Sequence, residues 1–267
     1  MIKLFYFIMI AGLMITTGCR STETGVKSTT SSGGKNLAKQ WTVTKPQQAQ
    51  VQYLLFLPQG YGQNPDKRWP LILFLHGAGE RGNDVSMVAS HGPPEYVKTH
   101  PDFPFIVVSP LCPENLLWSK DILLGLLDEI TSRYAVDSDR VYLTGLSMGG
   151  YGTWELGCAY PERFAAIVPV CGGGDLLPVL PVMLANGGKG QALKTLGVWA
   201  FHGGKDPVVP TEESERMVNW LKLHGVQDVK LTIYPEAGHD AWTETYSNPE
   251  LYQWLLQHER HGTAAKP

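Results

Sequence analysis

The chain has 267 residues, of which 43% are hydrophobic, and this length can bury the core of one α/β domain. Acidic and basic residues are mixed along the chain and leave a formal net charge of -3, so no basic stretch indicates a nucleic-acid partner. A small-molecule or polymeric substrate is therefore the better expectation.

The first forty residues are predicted to lie outside the folded domain. Leu4 to Ile15 is an apolar run, too short to span a bilayer, that follows a single lysine, as in a signal peptide. The residues before Cys19 resemble a bacterial lipobox, in which the cysteine is lipidated. We therefore expect a signal peptide over 1–19, a flexible Ser/Thr/Gly tether over 20–40, and export with lipid anchoring on the periplasmic or cell-surface side. A plain secretory peptide is the alternative.

Residues 41–262 are predicted to form a single domain built on a sheet. The first strand is edge-like and closed by a proline, and the next three are short apolar runs, as expected of parallel strands covered on both faces. The predicted strands are 51–58, 70–75, 105–110, 141–144, 165–170, 196–204 and 229–234.

Helical patterns alternate with these strands. The predicted helices are 121–134, a helix from the third central strand to about 160, 211–224 with Thr211 as its N-cap, and 248–258. Residues 176–195 are interpreted as an insertion with a short helix near the site. The unbroken alternation predicts an α/β fold with a doubly wound, mostly parallel sheet and helices on both faces.

The third central strand runs directly into Gly145-Leu146-Ser147-Met148-Gly149. A strand, a Gly-x-Ser-x-Gly turn and a helix in this order form a nucleophile elbow, which exposes the serine hydroxyl on a strained backbone. Its flanking positions need glycine because a Cβ there would strike the neighbouring strand or helix. Ser147 is therefore the candidate nucleophile, and an ordinary glycine-rich turn is the alternative.

Asp206 and His239 each follow a later predicted strand. The carboxyl ends of parallel strands meet at one edge of a sheet, and the order serine, acid, histidine is that of an α/β-hydrolase triad. His239 is the predicted general base, and Asp206 is the predicted carboxylate that orients it. Asp175 follows a strand too early, and Asp240 is too close to His239 in the chain; both are weaker alternatives.

Two backbone N–H groups are needed to bind the oxyanion, and those of Ala78 and Met148 are predicted to supply them. His76 is interpreted as structural, because His239 already fills the role of base. Trp118 and Trp242 lie in loops beside the predicted site, where they either bind an aryl acid or a sugar or serve as packing anchors.

Cys112, Cys158 and Cys171 are expected to be buried thiols. No spacing indicates a disulfide, and none has the cysteine or histidine neighbours of a metal site. Glu80 and Arg81 are interpreted as a pair that fixes their loop.

Three motifs resemble those of α/β-hydrolase esterases, a group that includes phospholipase/carboxylesterase-like, dienelactone hydrolase-like, and feruloyl or polyhydroxybutyrate depolymerase-like enzymes. The motifs are His76 to Gly82, Gly145 to Gly150 and Gly238 to Trp242. They are also similar to bacterial proteins described as predicted peptidases with prolyl-oligopeptidase-like catalytic domains. The resemblance covers residues from Gln50 to the C-terminus and implies hydrolysis without a metal or organic cofactor.

The favoured function is serine carboxylic-ester hydrolysis through an acyl-enzyme, with aryl or acetyl esters of polysaccharide fragments as the substrate class. A serine peptidase of the prolyl-oligopeptidase type is a second interpretation. A third is a non-catalytic, surface-anchored binding lipoprotein, against which the intact Ser147, Asp206 and His239 argue.

Overall fold

The computed structural model describes residues 50–185 and 187–260. The predicted signal peptide, Cys19 and the tether lie outside these residues. Within the described ranges, no helix has both the length and the apolar character needed to cross a membrane.

Seven strands form one sheet in the described part of the chain. The strands are β1 (Tyr53–Phe56), β2 (Trp69–Leu75), β3 (Ile106–Pro110), β4 (Val136–Leu146), β5 (Ala166–Val170), β6 (Gly197–Gly203) and β7 (Val229–Tyr234). Their order is β1-β3-β2-β4-β5-β6-β7. Only β1 is antiparallel to its neighbour, and every other pair is parallel. The predicted doubly wound, mostly parallel sheet is confirmed.

Helices follow most of the strands, as expected for this topology. The α-helices are α1 (Pro93–Tyr96), α2 (Lys120–Arg133), α3 (Met148–Ala159), α4 (Leu180–Leu184), α5 (Gly188–Thr195), α6 (Glu212–Leu223), α7 (Trp242–Ser247) and α8 (Pro249–Leu256). Short 3-10 turns occupy Val85–Ser90 and Pro161–Arg163.

Both faces of the central strands are covered. All residues of β2 are buried, and successive side chains of a strand point to opposite faces. Phe74 packs edge-on against Tyr246 of α7, with 5.7 Å between ring centroids, whereas Leu75 faces Gly152 of α3. This two-sided burial is the reason why the central strands read as continuous apolar runs.

The prediction of one short helix within 176–195 is wrong, because two helices, α4 and α5, lie in this segment. The second lies against the turn that precedes β5, where Lys189 Nζ is 3.2 Å from Glu162 Oε1. Ser147 follows β4, so α5 lies towards the opposite end of the parallel strands from the serine. The predicted closing helix over 248–258 is confirmed as α8, and a further helix, α7, precedes it from Trp242.

The predicted N-cap role of Thr211 is also wrong. A capping residue needs a non-helical backbone, but Thr211 is already helical, with φ -57° and ψ -31°. Its hydroxyl instead donates to the Gly203 carbonyl at 2.9 Å. The bond ties the start of α6 to the end of β6, where the loop that carries Asp206 begins.

Candidate active site

Ser147 lies at the junction of β4 and α3, with φ 52° and ψ -116°. A positive φ is strained for a residue with a side chain, and the turn is held by the Ser147 N–H, which donates to the Val170 carbonyl at 2.9 Å. A Cβ at Gly145 would overlap the Gly149 carbonyl, and one at Gly149 would overlap the Leu75 carbonyl. The glycines therefore let β2, β4 and α3 meet closely, as predicted.

Replacing Gly149 with alanine is expected to lower the free energy of unfolding by at least about 2 kcal/mol, because the methyl group would strike backbone that cannot turn aside. Urea unfolding measures the change. The matched control is Gly125→Ala in α2, where nothing lies within 4 Å of the new methyl group, and this variant is expected to be neutral or stabilised by up to about 1 kcal/mol. Equal stabilities of the two variants would contradict the close contact at the elbow.

Three of the predicted site residues form one chain of hydrogen bonds. His239 Nε2 is 2.9 Å from Ser147 Oγ, and His239 Nδ1 is 2.7 Å from Asp206 Oδ2. They come together because β4, β6 and β7 are parallel and end at the same edge of the sheet. An ionised Asp206 accepts a hydrogen bond from Nδ1–H, so the Nε2 lone pair of a neutral His239 faces the serine hydroxyl.

The Asp206 side chain is fully buried, and hydrogen bonds hold both of its oxygens. Oδ1 accepts from the N–H groups of Val208 and Val209 at 2.8 and 3.0 Å. Burial alone would raise the pKa of Asp206, but the bonds from His239, Val209 and Val208 outweigh it and hold the pKa below its usual range. Asp206 is therefore ionised at neutral pH.

The two alternative carboxylates occupy other positions. Asp175 is exposed and accepts from the Leu177 N–H at 2.9 Å, as in a local turn. Asp240 is exposed and bonds the N–H and hydroxyl of Thr243 at 3.1 and 3.0 Å, at the start of α7. Neither replaces Asp206 as the partner of His239.

The loop after β2 passes beside the serine. A Cβ at Gly77 would lie 3.6 Å from Ser147 Cβ. Within the residues that the structure describes, neither the Ala78 N–H nor the Met148 N–H donates to a backbone carbonyl. Both predicted oxyanion donors are therefore available to a ligand.

His76 supports this loop from beneath. The Cys112 N–H donates to His76 Nε2 at 2.9 Å, so Nδ1 carries the proton and donates to the Gly77 carbonyl at 2.6 Å. Burial lowers the pKa of His76, in keeping with a neutral ring. This geometry agrees with the structural interpretation of His76.

Glu80 and Arg81 fix the same loop, but through separate contacts. Arg81 donates to the carbonyls of Ala78 at 3.0 Å and Leu116 at 3.2 Å, which joins two loops at the site. Glu80 Oε1 lies 3.7 Å from His91 Nε2. The predicted loop-fixing role fits Arg81 directly.

Trp118 is a packing anchor for the loop after β3. Its Nε1–H donates to the His76 carbonyl at 3.2 Å, and its ring meets the His76 ring edge-on at 4.8 Å between centroids. A Cβ at Gly152 of α3 would lie 3.0 Å from the indole. These contacts favour the packing interpretation for this tryptophan.

Trp242 borders the base directly. Its ring meets His239 edge-on at 5.2 Å and lies 5.7 Å from His91. Its Nε1 is buried and bonds no acceptor within the described ranges. Trp242 thus forms an aromatic wall beside the candidate general base.

All three cysteines of the described chain are free and buried, as predicted. Burial raises the pKa values of Cys158 and Cys171 to about 12. The expectation that none lies beside a histidine is wrong for Cys171, since its Sγ and the ligand atoms of Asp206 and His239 lie within 4.8 Å of one another. Sequence spacing could not reveal this proximity, because it arises where β5, β6 and β7 end together.

The sequence analysis missed His202, which lies in β6 behind Asp206. It is completely buried, with Nε2 at 3.4 Å from Asp206 Oδ2. Its Nδ1 is 2.7 Å from Ser214 Oγ of α6. A histidine inside an otherwise apolar strand, four residues before the candidate acid, was the available signal.

Known proteins share sequence with this chain across the site. The phospholipase/carboxylesterase family model matches residues 122–248, which include Ser147, Asp206 and His239. The probable feruloyl esterase C of Aspergillus terreus is 24% identical over 232 residues, covering 84% of this chain and 77% of that protein. Poly(3-hydroxyalkanoate) depolymerase C of Paucimonas lemoignei is 26% identical over 170 residues, covering 53% of this chain and 40% of that protein.

A solved thermostable esterase has the same fold, with a TM-score of 0.66 and 34% identity, covering 82% of this chain and 62% of that one. The chain thus spans less than two thirds of the length of this esterase and of the depolymerase. The resemblance seen in the three sequence motifs is confirmed. The sheet topology and these similarities together show that the chain has the α/β-hydrolase fold and that the relatives it resembles include esterases.

Proposed function

We propose that the chain is a serine carboxylester hydrolase. The observation that carries this proposal is the chain of hydrogen bonds from Ser147 through His239 to Asp206, at 2.9 and 2.7 Å. A serine hydroxyl is a weak nucleophile at neutral pH and needs a base within hydrogen-bond reach. The same arrangement supplies the base and the carboxylate that orients it.

In the acylation step, Ser147 Oγ attacks the ester carbonyl carbon while His239 Nε2 takes the hydroxyl proton. The carbonyl oxygen becomes an oxyanion, which the N–H groups of Ala78 and Met148 stabilise. His239 then gives its proton to the alcohol oxygen as the C–O bond breaks. Asp206 stays ionised and stabilises the imidazolium throughout.

Deacylation repeats these steps with water. His239 Nε2 takes a proton from the water molecule, whose oxygen attacks the acyl carbon, and the oxyanion is bound by the same two N–H groups. His239 returns the proton to Ser147 Oγ as the acyl bond breaks, so the carboxylic acid leaves and the serine is restored.

We propose aryl or acetyl esters of polysaccharide fragments as the substrate class. Trp242 is partly exposed beside His239, and an aromatic ring at this place suits an aryl acid or a sugar ring. The Aspergillus terreus relative is a probable feruloyl esterase, and a bifunctional acetylxylan esterase/xylanase of Neocallimastix patriciarum is 28% identical over 90 residues, covering 34% of this chain and 12% of that protein.

A substrate panel tests this assignment. Methyl ferulate, acetylated xylo-oligosaccharides, p-nitrophenyl acetate, a long-chain p-nitrophenyl ester and a proline-containing aminoacyl anilide are compared by kcat/KM. We expect the feruloyl or acetyl esters to be turned over best and the anilide to be cleaved least. Preference for the anilide would indicate a peptidase and contradict the esterase assignment. Absence of turnover with every substrate would favour a binding lipoprotein.

We propose that the domain is exported and attached to the membrane through lipidated Cys19. The apolar run before Thr17-Gly18-Cys19 supports this proposal. Cys19→Ala is expected to move the protein from the membrane fraction to the soluble fraction of the expressing bacterium, because the acyl chains would have no attachment site. Fractionation and immunoblotting measure the distribution. An unchanged membrane fraction would contradict lipid anchoring at this residue.

A further inference from the structure

The tautomer of His76 follows from its two buried contacts. The Cys112 N–H donates to His76 Nε2 at 2.9 Å, and His76 Nδ1 lies 2.6 Å from the Gly77 carbonyl. A backbone N–H group can only donate, so Nε2 must present its lone pair and the neutral ring carries its proton on Nδ1. A second proton on Nε2 would face the Cys112 N–H inside the protein, because the His76 side chain is buried. His76 therefore donates a hydrogen bond to the Gly77 carbonyl.

This bond determines the direction of the next N–H group. The Gly77 carbonyl and the Ala78 N–H belong to the same trans peptide, in which these two groups point in opposite directions. His76 and Gly77 are buried, whereas Ala78 is exposed. Because the carbonyl points inwards to His76, the Ala78 N–H points away from it, towards the exposed side of the loop.

The peptide that His76 holds lies beside the candidate nucleophile. A Cβ at Gly77 would be 3.6 Å from Ser147 Cβ. Among the described residues, no backbone carbonyl accepts from the Ala78 N–H. The bond to His76 thus fixes a peptide that offers its N–H group to a ligand next to the serine.

Arg81 holds the following peptide in the same loop. Its Nε donates to the Ala78 carbonyl at 3.0 Å. Both peptides that flank Ala78 are therefore bonded through their carbonyl oxygens. Only His76 bonds the peptide that contains the Ala78 N–H itself, so the direction of this donor is assigned to His76.

We propose that His76 is a positioning residue for the oxyanion, because its Nδ1–H aims the Ala78 N–H at the ester oxygen. This inference rests on the proposed function, since an oxyanion forms only when Ser147 attacks an ester. A donor that is already aimed does not have to be reoriented during the reaction, and such preorganisation is what makes an oxyanion hole effective. His76 acts through the Gly77–Ala78 peptide and contacts no reacting atom.

The two ring nitrogens allow this role to be separated from a purely structural one. Nε2 joins the end of β2 to the loop after β3 through Cys112, whereas Nδ1 holds the Gly77 carbonyl. In His76→Asn, the amide nitrogen takes the place of Nδ1 and can donate to Gly77, but the side chain is too short to reach Cys112. In His76→Gln, the amide oxygen takes the place of Nε2 and accepts from the Cys112 N–H, but no donor remains at the position of Nδ1.

Steady-state kinetics with p-nitrophenyl acetate compare these two variants. We expect His76→Gln to lower kcat by about tenfold to hundredfold with little change in KM, because the bond to the oxyanion forms only in the transition state. His76→Asn is expected to keep kcat within about threefold of the wild-type value, even if urea unfolding shows it to be less stable. Equal losses of kcat in the two variants, or a larger loss in His76→Asn, would overturn the proposal, because His76 would then act as a tie to Cys112.

Nitrogen-15 relaxation of the Ala78 amide tests the same role without any substrate. We expect an order parameter near the rigid-backbone value of about 0.85 in the wild type and in His76→Asn, and a clearly lower value in His76→Gln. Equal values in all three proteins would overturn the proposal. If the wild type turned over no ester, the proposed function would fail, and this measurement would still decide whether His76 holds the peptide.

Should His76→Gln not fold, NMR of the wild-type histidine ring decides. We expect the His76 proton on Nδ1, with a coupling across the hydrogen bond to the Gly77 carbonyl carbon. A proton on Nε2 and none on Nδ1 would overturn the proposal.

Discussion

His239→Ala is expected to lower kcat for ester hydrolysis roughly 10⁴-fold or more while the protein keeps its fold. Among the hydrogen bonds of the described residues, His239 is the only base that contacts Ser147 Oγ, with its Nε2 at 2.9 Å. His239 is partly buried but is not a member of the buried hydrophobic core, so we expect its truncation to leave the fold intact. Steady-state kinetics with p-nitrophenyl acetate measure the loss, and circular dichroism checks the fold.

The matched control for this variant is His224→Ala, since the His224 ring lies 2.8 Å from the Trp220 carbonyl at the end of α6 and stacks on the Trp220 ring. We expect its kcat to stay within about twofold of the wild-type value. If His239→Ala retained a kcat within tenfold of the wild type, another group would have to be the base.

Asp206→Asn is expected to lower kcat by about 10⁴-fold. Asparagine keeps an oxygen for the Val208 and Val209 N–H groups, and its amide then presents N–H to His239 Nδ1. Nδ1 becomes the acceptor, so the proton moves to Nε2 and the ring can no longer take a proton from Ser147. The expected signature is a large fall in kcat with little change in KM.

Asp175→Asn and Asp240→Asn serve as controls because both carboxylates are exposed and bond only local groups. Their kcat values are expected to stay within about threefold of the wild-type value. If Asp206→Asn retained most of its activity and Asp175→Asn lost it, the acid would be Asp175, and the assignment of Asp206 would be wrong.

The sheet could be predicted because its central strands are buried on both faces. Runs such as 70–75 and 105–110 therefore contain almost no polar residue, and they match β2 and β3 closely. The antiparallel edge strand β1 was equally visible through its closing proline. The elbow was predictable for a related reason, since Gly149 must approach the Leu75 carbonyl too closely for any side chain.

Contacts between distant segments could not be predicted in the same way. Cys171 lies near Asp206, and Ser214 bonds His202 behind it, only because the exits of β5 and β6 and the start of α6 converge, and no sequence spacing encodes that convergence. Thr211 failed as a cap because a tertiary bond to Gly203 uses its hydroxyl. The candidate catalytic residues could therefore be predicted from the sequence, but the residues that support them depended on the fold.

Labelling by a fluorophosphonate probe, located by mass spectrometry of the digested protein, tests most directly whether Ser147 is an activated nucleophile. The probe reacts with a serine whose proton a neighbouring base removes, and this requires the Ser147–His239 pair to work as proposed. We expect one phosphonylated serine, Ser147, with labelling lost in Ser147→Ala and strongly reduced in His239→Ala. An unlabelled Ser147 in the folded wild-type protein would contradict the account.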